Sequence, residues 1–105
     1  ETVVISFGST ARSVTRAVKI LRNDNVKIGA LRLKTIWPFP KTAINELPDS
    51  VKNIIVAEMN YGQLIETIEA TSKGKFNIFG LNKFNGELIS PDEVIDKVRE
   101  VLNNA

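Results

Sequence analysis

The chain has 105 residues, of which 43% are hydrophobic and 25% are charged, a composition typical of one globular domain rather than of a disordered or fibrous segment. It contains no Cys and no His, which excludes disulfides, thiolate- or imidazole-bound metals and Cys–His or Ser–His–Asp catalysis within this chain. The net charge of +2 is too small and too evenly spread along the sequence to indicate nucleic-acid binding, and no apolar run is long enough to span a bilayer.

The sequence begins with a predicted strand and helix. Residues 3–7 form an apolar, β-branched run closed by Gly8, which is typical of a strand buried on both faces. Ser9 or Thr10 can then cap a helix that ends at residues 23–25. The apolar stripe of this helix has the spacing of one helical face and consists of Val14, Ala17, Val18 and Leu21. We expect the helix to pack on the sheet through this stripe.

A second strand, a proline-rich loop and a short helix follow. Residues 26–33 predict the strand, and the small side chain of Gly29 favours close packing of a helix against it. Residues 35–40 contain two prolines, each of which lacks an N–H donor and restricts the preceding residue, so this segment is predicted to be a loop. Residues 41–47 predict a short helix that ends at Pro48.

The second half of the sequence continues the alternation of strands and helices. Residues 52–58 predict a third strand, a turn precedes a helix at residues 63–72, and residues 75–81 predict a fourth strand. After a turn at residues 85–86, residues 90–93 have the order of a capping box, with Ser as N-cap, Pro at the first helical position and an acid at the third. The apolar stripe of this last helix consists of Val94, Ile95, Val98, Val101 and Leu102.

This alternation predicts an α/β fold, a three-layer α/β/α sandwich with a mostly parallel sheet and right-handed crossovers. The commonest strand order compatible with four strands is 2-1-3-4, in which the order reverses between the first and third strands. Ligands and partners of such sheets use the carboxyl ends of the strands at this point. Three unusual segments are expected to leave that edge, namely residues 8–10, 37–40 and 58–63.

Two of these segments carry polar groups. Residues 8–10 lead into a helix N-terminus, where free N–H groups favour an anion, but they lack the Gly-x-Gly-x-x-Gly and Gly-Lys-Ser/Thr patterns, so a tight turn with an N-cap is the favoured interpretation. Glu58, close to Asn60 and Gln63, is a lone carboxylate. It is either a general base or, as we favour, an anchor for loop N–H groups or for a partner subunit. Asn60 and Gly62 suit a turn with positive φ.

Three of the seven aromatic residues, Trp37, Phe39 and Tyr61, fall in predicted loops. Loops that prolines hold rigid lose little entropy on docking, so aromatic side chains displayed on them suit a protein interface. The alternative for Trp37 and Phe39 is that they fold back over the sheet edge.

Three motifs occur in order along the chain: Phe7-Gly8-Ser9, Ile36-Trp37-Pro38-Phe39-Pro40, and Glu58-x-Asn60-x-Gly62-Gln63-Leu64. In this combination the sequence resembles the C-terminal part of the α chain of 2-oxoacid:ferredoxin oxidoreductases, of the 2-oxoglutarate or pyruvate synthase type. The resemblance implies a fold like the transketolase C-terminal domain, with residues 1–105 as a single C-terminal domain of a longer chain. In that fold an antiparallel edge strand precedes the first strand found here and pairs beside the second.

The resemblance also implies an activity for the whole enzyme. Members of this family convert a 2-oxoacid and coenzyme A to an acyl-CoA and carbon dioxide, and they pass two electrons to ferredoxin. Thiamine diphosphate, Mg²⁺ and an iron–sulfur cluster serve the whole enzyme and are bound by other domains, so this domain is expected to hold no catalytic, cofactor-binding or metal-binding residue and to be inactive alone.

The expected role of the domain is assembly in the cytoplasm, with no nucleic acid and no membrane as partner. The expected partners are the other domains of the same α chain and the β subunit, with ferredoxin as partner of the holoenzyme. The expected interface consists of Gly8, Ser9, Trp37, Phe39, Glu58, Asn60, Tyr61, Gly62 and Gln63.

Two alternatives of the same topology belong to other functional classes. A stand-alone flavodoxin-like module that binds a phosphorylated ligand needs a phosphate loop richer in Gly, Ser and Thr than residues 8–10. A phospho-acceptor signalling domain needs an acidic cluster after the first strand and an Asp after the third. Phe7-Gly8 and Glu58 occupy those places, so we set this second alternative aside.

Overall fold

The strands and helices follow the order that the residue patterns predict. A computed structural model of the chain describes residues 2–7, 10–33, 44–58, 63–72, 74–82 and 89–103, with the backbone alone at positions 7, 58, 63, 64 and 82. The strands are β1 (Thr2–Phe7), β2 (Ile28–Leu33), β3 (Asn53–Glu58) and β4 (Asn77–Asn82). The helices are α1 (Thr10–Asn23), α2 (Gln63–Ser72) and α3 (Pro91–Asn103). Of the short helix predicted at residues 41–47, residues 44–45 are helical and residues 41–43 lie outside the described ranges.

The four strands form one parallel sheet with the order β2-β1-β3-β4, which confirms the predicted order. β1 is central, and its first residue, Thr2, pairs with both Ile28 of β2 and Asn53 of β3. Parallel neighbours require a crossover between them, and the helices supply these connections. The reversal of strand order therefore falls between β1 and β3, as expected.

Helices cover the sheet on both faces and create two separate cores. The first core lies under α1 and α3, and its buried members include Val4, Val14, Ala17, Val18, Leu21, Ile28, Ile55, Val94, Ile95, Val98 and Val101. The second core lies on the α2 face and includes Val3, Ile5, Leu33, Ile44, Val51, Ile54, Val56, Ile68 and Phe76. Alternate residues of β1 and β3 point to opposite cores because side chains alternate across a strand. The three-layer α/β/α sandwich is thereby confirmed.

α1 ends in a Schellman motif, and β2 begins two residues later in the sequence than predicted. The N–H of Val26 donates to the carbonyl of Leu21, and the N–H of Asn25 donates to the carbonyl of Arg22, each at 3.0 Å. Asn25 has φ of 66°, the left-handed conformation that this motif requires. Since Val26 belongs to the helix cap, the strand predicted from residue 26 begins at Ile28.

The start of α3 is the predicted capping box. The hydroxyl of Ser90 accepts from the N–H of Glu93, and the carboxylate of Glu93 accepts from the N–H of Ser90, both at 3.2 Å. Pro91 is the first helical residue, as predicted. The apolar stripe of α3 is buried except at its end, where Leu102 is 39% exposed because it lies on the flank of the stripe, one position beyond Val101.

The prediction for Gly29 needs a correction. A Cβ at this position would lie 3.8 Å from Cγ2 of Val3 and 3.9 Å from Nη2 of Arg22, which are ordinary van der Waals distances. An alanine would therefore fit, and close helix–sheet packing does not require a glycine here. The group that lies over Gly29 is the guanidinium of Arg22 rather than the helix backbone.

Candidate functional site

The ends of the four strands lie at one level of the sheet. Phe7 pairs with Leu33, Ser6 pairs with Ala57, and Glu58 pairs with Asn82. Because all strands are parallel, these residues share the carboxyl edge, and neighbouring strands about 4.8 Å apart place the ends of β2, β1 and β3 within about 10 Å. We call this row of strand ends the carboxyl edge.

The residues that flank the predicted interface segments therefore lie together. Phe7 precedes residues 8–9, Leu33 precedes the segment that contains residues 37–40, and Glu58 precedes residues 59–62. Glu58 is the last residue of β3, and Gln63 is the first residue of α2. The other predicted interface residues lie outside the described residues; they are Gly8, Ser9, Trp37, Phe39, Asn60, Tyr61 and Gly62.

Thr10, at the start of α1, differs from its predicted role. It is 2% exposed, and its hydroxyl has no hydrogen-bond partner within the described part of the chain. Thr10 is the first residue of the helix. Because its hydroxyl accepts no hydrogen bond from the first turn, Thr10 does not act as the side-chain cap of the helix. Of the two residues proposed as N-cap, Ser9 remains, and it lies outside the described residues. No pattern in the sequence distinguishes a buried hydroxyl of this kind from a capping one.

The described residues offer little that resembles an acid–base catalyst. The buried polar residues are Thr2, Ser6, Thr10, Asn53 and Ser72, and none of them is a carboxylate or an amine. Proton transfer by an enzyme depends on titratable groups placed in a partly dry site.

Two further kinds of feature are absent from the ranges that the structure describes. They contain no cluster of three or more acidic side chains placed to hold a metal ion. They also contain no helix that could cross a membrane: the longest, α1, has 14 residues, whereas a bilayer needs about 20.

Comparison with known proteins identifies a family that the chain matches. Residues 1–94 match the family model described as "Pyruvate:ferredoxin oxidoreductase core domain II". The 2-oxoglutarate synthase subunit KorA of Methanothermobacter marburgensis is 39% identical over 95 residues, which cover 90% of this chain and 25% of that protein. The ketoisovalerate oxidoreductase subunit VorB of Methanothermobacter thermautotrophicus is 34% identical over 105 residues, which cover 100% of this chain and 30% of that protein.

Solved structures share the fold. A structure described as 2-oxoglutarate:ferredoxin oxidoreductase from Magnetococcus marinus, with 2-oxoglutarate, coenzyme A and succinyl-CoA bound, superposes with a TM-score of 0.77 at 22% identity, over 95% of this chain and 17% of that chain. A split-gene transketolase, described as an inactive beta4 tetramer, superposes with a TM-score of 0.80 at 15% identity, over 98% of this chain and 38% of that chain. These likenesses confirm the transketolase-like fold. The chain spans 25% and 30% of the length of these two curated relatives.

Proposed function

The chain belongs to the pyruvate:ferredoxin oxidoreductase core domain II family, and on this premise we propose that it is a non-catalytic assembly domain of a 2-oxoacid:ferredoxin oxidoreductase α subunit. In this proposal residues 1–105 form the C-terminal domain of that subunit. The carboxyl edge docks against other domains of the subunit and against the β subunit. The observation that carries the proposal is the common level of the ends of β1, β2 and β3, from which all three motif segments leave.

The whole enzyme, in this proposal, converts a 2-oxoacid and coenzyme A to an acyl-CoA and carbon dioxide, and two electrons pass to ferredoxin. Thiamine diphosphate with Mg²⁺ supplies the carbanion chemistry, and an iron–sulfur cluster carries the electrons. The residues that the structure describes do not fit the iron–sulfur cluster or Mg²⁺. A cluster needs Cys thiolates, and the chain has no Cys; the described residues contain no cluster of acidic side chains for Mg²⁺.

The level strand ends support an assembly role, because strands are a rigid base for contacts with neighbouring domains. The family match favours this function over a flavodoxin-like module, because the relatives are named as oxidoreductase subunits.

Two measurements test the proposal. Calorimetry of the isolated chain with thiamine diphosphate and Mg²⁺, and separately with coenzyme A, should give no binding heat at micromolar ligand. Deletion of residues 1–105 from the full-length α subunit should abolish its co-purification with the β subunit. Micromolar binding of thiamine diphosphate by the chain alone, or full assembly without the domain, would contradict the proposal.

A further inference from the structure

A cavity of about 350 Å³ lies at the opposite edge of the sheet from the candidate site. It is bounded by the last turn of α1, by the first residues of β1 and β2, and by the segment that leads into β3. Its size is at the lower end of the range for small-molecule pockets.

Two residues that carry cationic side chains, Arg22 and Lys27, line this cavity. Nε of Arg22 donates to the carbonyl of Ile28 at 2.8 Å, which fixes the guanidinium over Gly29, where the lack of a Cβ leaves space. No acidic side chain is among the described residues that line the cavity. Two acids close to lining residues along the chain are paired elsewhere: Asp49 with Lys75 at 3.5 Å and Asp24 with Arg99 at 3.3 Å. The described lining therefore carries positive charge and no acidic partner.

A buried hydroxyl adds a second, independent observation. Thr2 lines the cavity and is 1% exposed, and its Oγ1 has no hydrogen-bond partner among the described residues. A buried polar atom without a partner is unfavourable, and a water molecule, an ion or a ligand that bonds to it removes this cost. A hydroxyl can donate a hydrogen bond to an anionic oxygen.

The remaining wall is apolar and includes Val3, Pro48 and Val51. Val3 and Val51 are nearly fully buried in the second core, so this wall is rigid. An inorganic ion fills only the cationic part of such a cavity. A molecule with an anionic head and a short aliphatic body matches both parts, because its head meets Arg22 and Lys27 while its body meets the apolar wall.

We propose that this cavity is a binding site for a small organic anion, a carboxylate or a phosphate monoester on a short aliphatic chain. Arg22 is the main recognition residue, because its guanidinium is oriented and presents paired donors to anionic oxygens. Lys27 adds charge, and Thr2 contributes a hydroxyl. The site lies away from the carboxyl edge and does not depend on the assembly function proposed above.

NMR titration of the ¹⁵N-labelled chain tests this site with four probes: pentanoate, propyl phosphate, inorganic phosphate and neutral pentanol. Pentanoate or propyl phosphate should shift the amides of Thr2, Ile28 and Gly29 saturably, at least tenfold more tightly than inorganic phosphate and pentanol. Which of the two organic anions binds more tightly identifies the head group. A failure of both to give saturable shifts, or equal binding of pentanol, would overturn the proposal.

Three variants and a matched control locate the site. Lys27→Gln should weaken the organic anion several-fold, and Arg22→Gln should weaken it at least tenfold. Gly29→Leu should also weaken it, because this side chain extends beyond a Cβ position that is already 3.9 Å from Nη2 of Arg22 and so displaces the guanidinium. Lys52→Gln, an exposed lysine outside the lining, should leave the affinity unchanged. If Arg22→Gln impairs folding, Lys27→Gln and Gly29→Leu decide the question. Unchanged affinity in both would overturn the proposal.

Discussion

Ile54 and Ile55 are neighbours in the chain and both are fully buried, yet their side chains lie in different cores. Ile54 packs in the second core, on the α2 face, and Ile55 packs in the first core, under α1 and α3. This arrangement arises because β3 is an inner strand with helices on both faces of the sheet. Among the described residues, the two cores have no member in common.

The separation of the cores predicts additive effects of small cavities. Ile54→Val and Ile55→Val should each lower the free energy of unfolding by about 0.5–1.5 kcal/mol, since each removes one buried methylene. The double variant should equal the sum within about 0.5 kcal/mol, because the two side chains share no core partners. Urea unfolding followed by circular dichroism measures all three values. A coupling above 1 kcal/mol would mean that the sheet transmits strain between the cores. Ile20→Ala is the control, since Ile20 is 37% exposed and should cost less than either core variant.

The capping box of α3 makes a second prediction. Ser90→Ala should lower the free energy of unfolding by about 0.5–2 kcal/mol, because the N–H of Glu93 loses the hydroxyl that accepts its hydrogen bond. Ser13→Ala is a matched control, because Ser13 lies inside α1, where alanine has the higher helix propensity, so this variant should change stability by less than about 0.5 kcal/mol. Thermal and urea unfolding compare the two. Equal losses for both variants would show that the cap contributes nothing.

The left-handed residue at the end of α1 makes a third prediction. Asn25→Ala should be less stable than Asn25→Gly by about 1 kcal/mol, because a Cβ is unfavourable at positive φ and glycine has none. Both variants keep the backbone hydrogen bonds of the motif, so the difference isolates the cost of the conformation. Urea unfolding of the pair measures it. A more stable alanine variant would contradict the assignment of φ at Asn25.

The proposed docking edge makes the fourth prediction. Trp37→Ala or Tyr61→Ala, in the full-length subunit, should weaken association with the β subunit at least tenfold, which corresponds to about 1.4 kcal/mol. The circular dichroism spectrum and thermal midpoint should not change, because both residues are predicted to lie in loops. Ile20→Ala serves as the control, since Ile20 is an exposed apolar residue in the second half of α1, away from the carboxyl edge. Unaltered co-purification of both aromatic variants would remove the support for this edge as the interface.

The sequence predicts most of the fold because local patterns and tertiary packing agree. The apolar runs of β1 and β3 are buried on both faces, and the reciprocal bonds of Ser90 and Glu93 follow from residue types three positions apart. β2 is predicted two residues early because Val26 suits a strand by composition, while the helix end recruits it as part of the cap. A scale of strand propensity describes Val26 by its residue type alone and does not include its role in the helix cap.

Other features arise from residues that are distant in the sequence. One cavity is lined by Thr2, Arg22 and Lys27 only once β1 has paired with β2. Because Thr2 is far from the other two residues in the sequence, no local pattern indicates this cavity. Similarly, Thr10 has the residue type of a helix cap but is the first helical residue and is buried. In the candidate site, the motifs predicted which segments leave the carboxyl edge, and the strand register confirmed that their flanking residues Phe7, Leu33 and Glu58 lie together. The contacts of Trp37, Phe39 and Tyr61 stay predictions.

The central position of β1 has a consequence for biosynthesis. Thr2 pairs with Ile28 on one side and with Asn53 on the other, so β1 needs partners from β2 and β3, which are translated after it. A nascent chain emerging from the ribosome therefore presents an apolar strand with open edges until β3 has left the exit tunnel. Slow translation through this interval would favour capture by a chaperone or misassembly with another nascent copy.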